Sequence, residues 1–108
     1  MSLLAGVLDG GEGFVLERGS VVGYAQTPPR RSVSVKDIYL YADDGVVTSS
    51  FLITIDGRLF DMNGVVPLDQ LRQGRIEAGR GVVLEVKPPV LAELNVWLDQ
   101  METAGFRR

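Results

Sequence analysis

A chain of 108 residues and 11.8 kDa, 45% hydrophobic and 23% charged, has the composition of an ordinary globular domain and length enough for one core without metals or disulfides. A formal net charge of −3 argues against a global positive field of the kind that coats nucleic acid or an anionic membrane. Cysteine and histidine are both absent, which excludes disulfide frameworks, Cys- or His-ligated metals, thiol and Ser-His-Asp catalysis, and an imidazole switch near neutral pH.

The first apolar run, Leu3 to Leu8, is broken by Gly6, has no basic residue before it and is far too short for a signal-peptide core or a membrane span, so a cytoplasmic protein is expected. Arg30-Arg31 has no apolar segment after it and lies too deep in the chain to act as a twin-arginine signal. Gly6, Gly10, Gly11 and Gly13 predict a flexible N-terminal segment over residues 1–12 of a single domain spanning residues 1–108. Phe14 to Arg18 and Ser20 to Ala25 read as two short strands around Gly19, and Thr27-Pro28-Pro29 then forces an extended connector.

Residues 32 to 62 carry the strongest signal. Asp44-Gly45 and Asp56-Gly57 punctuate three runs rich in Val, Ile, Tyr, Thr and Phe, and Asp-Gly suits a type I′ hairpin turn, which needs positive φ at both central residues. Two-residue loops place Ile55 opposite Arg58, Phe51 opposite Met62, Val47 opposite Ala42 and Phe51 opposite Ile38. Both registers, set independently, put one apolar set on one side of the pleat: Ile38, Leu40, Ala42, Val47, Phe51, Ile53, Ile55, Phe60 and Met62. Val33 and Val35 are out of phase with that set, and a bulge at Lys36-Asp37 restores them to it.

Pro67, Leu68, Leu71 and Gly74 predict a helix of about two turns, followed by a Gly- and Arg-rich loop from Gln70 to Gly81. Val82 to Lys87 alternate as a further strand. Pro88-Pro89 opens a helix whose Val90, Leu91, Leu94, Trp97, Leu98 and Met101 recur at three- and four-residue spacing, with Gly105 as its stop. Its apolar stripe needs a cover, which the meander's core face supplies. The expected fold is α+β, an antiparallel β-meander sheet covered on one face by a C-terminal amphipathic helix in two layers.

The chemistry available is limited to carboxylates, Ser/Thr, Tyr, Lys and Arg. Asp44 and Asp56 are accounted for by turn chemistry. Asp61 stands opposite Leu52, about 14 Å along the strands from Asp56, too far for a carboxylate pair. Asp61-Met62-Asn63-Gly64 has part of a calcium-loop pattern, but an EF-hand needs a bidentate Glu where this chain has Arg72. No metal site, no cofactor site and no catalytic set is assigned.

Two surfaces remain. One is the outer meander face, where Tyr39 stands opposite Ser50 and Tyr41 opposite Thr48, with Leu52, Thr54 and Leu59 beside them. The other is a set of arginines, Arg58 with Arg72, Arg75 and Arg80 of the Gly-rich loop, whose forked donors suit phosphate. The first reading is a small non-enzymatic binding or assembly module that self-associates or docks onto a protein partner through the Tyr39/Tyr41 face or an exposed strand edge. The alternative is a domain binding single-stranded nucleic acid or a nucleotide phosphate, with Tyr39 and Tyr41 stacking on bases and the four arginines holding phosphates.

Overall fold

The computed structural model describes residues 13–43 and 45–103. The expected flexible segment 1–12, Asp44 of the first hairpin turn, and the helix stop at Gly105 lie outside the described residues. The chain order is β1 (Gly13–Leu16), β2 (Val21–Ala25), β3 (Val33–Asp43), β4 (Val46–Ile55), β5 (Arg58–Val66), α1 (Leu68–Arg72), β6 (Arg75–Gly79), β7 (Val82–Val86) and α2 (Pro88–Thr103). The fold is α+β, with antiparallel strands in two sheets: β1-β3-β4-β5, and a second, three-stranded sheet β2-β7-β6 that the sequence did not reveal.

The meander has the register its turns dictate. Ile55 pairs with Arg58, Ile53 with Phe60 and Phe51 with Met62, while Phe51 pairs with Ile38 and Val47 with Ala42. Asp56 and Gly57 both have positive φ, at 51° and 81°, as a type I′ turn requires. The β3–β4 register shifts between Val35 and Ile38, so the bulge falls at Lys36-Asp37. Ile38, Leu40, Ala42, Val47, Phe51, Ile53 and Ile55 are buried, and Val33, Val35, Phe60 and Met62 pack partly buried against them. Ser49 is buried on the same face, its hydroxyl donating to the Gly64 carbonyl at 3.4 Å.

The bulge is also where the neighbour of β3 changes. β1 pairs with the second half of β3, Ile38 to Tyr41, whereas β2 lies against the first half. The chain crosses between them in a turn at Glu17–Ser20, and the Arg18 amide donates to the Asp37 carboxylate at 2.7 Å, pinning that turn to the bulge. β2 then joins β7 of the second sheet. The close approach depends on Gly23, where a Cβ would sit 2.7 Å from Val33 Cγ1 and 2.9 Å from Leu84 Cδ2.

The region from Gln70 to Gly81, expected as a loop, is ordered differently. α1 is five residues long rather than two full turns, with Pro67 standing in extended conformation just before it. β6 follows and pairs with β7 through a hairpin closed by Arg80-Gly81. Two Gly residues and a charged turn disguised a strand whose inward side chains, Ile76 and Ala78, are only two. Leu94, Trp97, Leu98 and Met101 of α2 are buried in one core cluster with both sheets. Trp97 meets Phe14 of β1 with ring centroids 5.6 Å apart. α2 therefore covers the β1 side of the large sheet, and the small sheet covers the far end, where Val33 and Val35 lie.

Two substitutions test this packing in urea unfolding. Trp97→Ala removes a large buried ring and should cost about 3–5 kcal/mol. Gly23→Ala should cost about 1–3 kcal/mol, because its Cβ would crowd the side chains of Val33 and Leu84, and both are packed in the core. A loss below about 1 kcal/mol for Trp97→Ala would mean that the helix stripe faces something other than the core.

Candidate functional site

The outer face of the large sheet is built by strict alternation. Every second residue of β4, of β5 and of β3 beyond the bulge points away from the core, which sets Tyr39, Tyr41, Leu52, Thr54 and Leu59 on one surface, joined by Val46 and Val65. Tyr39 and Tyr41 are 40% and 41% exposed, Leu59 63% and Val65 66%, while Leu52 and Thr54 are half-buried. Where the bulge bends this face, a depression of about 490 Å³ opens between Arg18, Lys36, Tyr39, Leu52 and Asp61.

The face ends at β5, the terminal strand of its sheet. β5 is nine residues long, contains neither proline nor lysine, and pairs with β4 without a register break. Short length, proline, lysine and a bulge are devices by which proteins usually blunt an edge, and β5 has none of them. In a two-residue hairpin the residues flanking the loop form a hydrogen-bonded pair, here Ile55 and Arg58. Alternation then turns the N–H and C=O groups of Leu59, Asp61, Asn63 and Val65 away from β4. β6 passes beneath this edge, leaving a cleft of about 370 Å³ between Met62–Pro67 and Ile76–Gly79.

The four arginines grouped in the sequence do not form one set. Arg72 clamps the two helices together: its guanidinium donates to Asn95 Oδ1 at 3.2 Å and Glu102 Oε1 at 2.9 Å and pairs with Asp99 at 3.0 Å. Asn95 returns a hydrogen bond to the Arg72 carbonyl at 3.0 Å. Arg75 pairs with Glu77 at 3.5 Å on the outer face of the small sheet. Arg58 and Arg80 stand apart from both, their guanidinium carbons 5.8 and 4.0 Å from the Phe60 ring centroid.

Sequence reasoning missed two participants. Arg31 donates to the Arg80 carbonyl at 2.8 Å and pairs with Asp56 at 3.8 Å, so the proline connector delivers it to the same end as Arg58 and Arg80. Tyr24 lies in the small sheet, its hydroxyl donating to Glu85 Oε2 at 2.6 Å. The long separation of each pair in sequence hides both contacts.

Among the described residues no group of acidic side chains is placed to hold a metal ion, and no helix is long and apolar enough to cross a membrane. Comparison with protein-family models, curated proteins and solved structures finds no match.

The hydrogen bond to Glu85, together with desolvation and the Glu85 charge, pushes the Tyr24 phenol above its ordinary value. Because the folded value is the raised one, this interaction supports the fold below the ordinary phenolic range and is lost as pH climbs through the raised value. An alkaline absorbance titration should show a late phenolic phase that Tyr24→Phe abolishes. A titration unchanged by Tyr24→Phe would mean that the Glu85 contact does not hold in solution.

Proposed function

We propose that this chain is a small non-enzymatic assembly module that self-associates by adding β5 of one copy to β5 of a second, antiparallel about a two-fold axis. The observation that carries this reading is the self-complementarity of the free strand. In the register that overlaps all nine residues, Met62 stands opposite Met62 of the second copy, Asp61 opposite Asn63, Leu59 opposite Val65, Phe60 opposite Gly64 and, at the ends, Arg58 opposite Val66. Apolar side chains meet apolar ones on the outer face, the carboxylate meets an amide, and the aromatic ring covers a glycine on the inner face.

The two nearest registers that keep the faces in phase are worse. One sets Asp61 against Asp61, and like charges directly opposite destabilise a sheet. The other sets Asp61 against Val65 and leaves Leu59 without a neighbour. The favoured pairing also uses the backbone groups of Leu59, Asp61, Asn63 and Val65 that β4 leaves unengaged. It joins two outer faces into one continuous surface carrying Tyr39 and Tyr41 of both copies.

Position 63 tests the register with opposite signs. Asn63→Lys places a cation opposite Asp61 of the second copy, and Asn63→Asp places an anion there. A two-fold interface holds the pair twice, so each substitution should shift association by about 0.4–2 kcal/mol, or roughly twofold to thirtyfold in dissociation constant, the lysine tightening and the aspartate loosening it. Sedimentation equilibrium reads both. A monomer at all accessible concentrations, or two substitutions acting in the same direction, would overturn the assignment.

A further inference from the structure

Three arginines from three separate segments meet at one end of the protein: Arg31 before β3, with Arg30 next to it in the chain, Arg58 at the start of β5, and Arg80 in the β6–β7 turn. Arg58 and Arg80 lie over the same Phe60 ring, at 5.8 and 4.0 Å. The carboxylate in an ion pair at this end is Asp56, which is engaged with Arg31 and accepts from the Ser32 amide at 3.0 Å. Among the described residues Arg30, Arg58 and Arg80 take part in no ion pair. A chain of net charge −3 thus concentrates unneutralised guanidinium groups at one place, held by a ring instead of by carboxylates.

The backbone provides an independent observation. Arg80 has φ of 56°, in the left-handed region, at the first central position of its turn. Asn, Asp or Gly fits there with less strain, and arginine keeps its place at a cost in stability. Its own carbonyl is fixed by Arg31, so the strained residue is held firmly. Beside Arg30 and Arg31 a groove of about 600 Å³ runs along Tyr24, Gln26, Thr27 and Pro28, a volume suited to a small organic ligand.

We propose that this end binds an oligophosphate, the chain of phosphoryl groups carried by a nucleoside triphosphate or present as inorganic polyphosphate. Arg58 and Arg80 present forked donors that bridge adjacent phosphoryl oxygens, and Arg30 supplies further positive charge at the mouth of the groove, next to Arg31, which Asp56 pairs. Phe60 orients the two forks and keeps them apart from carboxylates. Arg72 and Arg75, neutralised in their own ion pairs, take no part. The site shares Arg58 and Phe60 with the strand that pairs in the proposed assembly, whereas Arg80 and the proline connector lie outside that strand, so Arg80→Asn reads phosphate binding apart from association.

Calorimetric titration with sodium tripolyphosphate and, in parallel, with adenosine triphosphate tests the site on the full chain. Binding should weaken as ionic strength rises. Arg80→Asn and Arg58→Gln should each weaken it about tenfold, whereas Arg75→Gln leaves it unchanged. Arg80→Asn should do so with an unfolding temperature no lower than that of the parent chain, since asparagine relieves the left-handed strain. Equal affinity for the two probes identifies the phosphate chain as the recognised part, and tighter binding of adenosine triphosphate adds the groove to the site. No binding of either probe at low salt, or an equal loss in Arg75→Gln, would overturn the proposal.

Discussion

The parity of the β3–β4–β5 pleat is the constraint on which the rest of the structure depends. Side chains alternate faces with period two, so a slip of one residue in either hairpin would bring Ile38, Leu40, Phe51 and Ile53 to the surface and send Tyr39, Tyr41 and Asp61 inward. The Asp56-Gly57 turn fixes the second hairpin through two positive φ values that its residues adopt readily, and Gly45, at φ 83°, does the same in the first. The bulge at Lys36-Asp37 then resets the phase of β3 once, letting Val33 and Val35 share the core with Ile38 and Leu40.

That sheet is longer than any one cover. Strands of nine to eleven residues present a core face that a helix of sixteen residues crossing at the β1 side cannot span alone. The remainder is closed by the small sheet, whose approach to the large one is helped by Gly23, which lets β2 lie against Val33 and Val35. The bulge, the Glu17–Ser20 turn tied to Asp37, and the glycine form one device: they bend β3, switch its neighbour, and admit the second sheet. Arg72 and Asn95 fasten α1 to α2 at the opposite side of the core, which is why an arginine in a glycine-rich stretch serves packing there rather than binding.

The surfaces left over differ in character. The outer face of the large sheet and the β5 edge mix Tyr, Leu and Val with Ser, Thr, Asp61 and Asn63, and β5 pairs with β4 without a register break, which suits a second sheet edge. The arginine end is assembled from turns and a connector, carries charge against the net sign of the chain, and includes a residue in strained backbone. Apolar edges and forked cations select different partners, and the two surfaces meet at Arg58 and Phe60 of β5.

Local chemistry was enough for the elements whose signals are local. The Asp-Gly turns, the alternation around them, the phase break at Lys36-Asp37 and the three- and four-residue spacing of Leu94, Trp97, Leu98 and Met101 determined the meander, its register, its buried face and the last helix, because turn geometry and side-chain periodicity act within a few residues. β6 escaped because only Ile76 and Ala78 mark its buried face between glycines, too few for a period to be read. The choice of β1 for the large sheet and β2 for the small one, the meeting of Arg58 and Arg80 over Phe60, and the hydrogen bond from Arg31 to the Arg80 carbonyl belong to the tertiary structure alone. Those contacts join segments some 20 to 60 residues apart, and what selects among such pairings is the volume of a shared core and the close approach that Gly23 permits, neither of which any single stretch of sequence encodes.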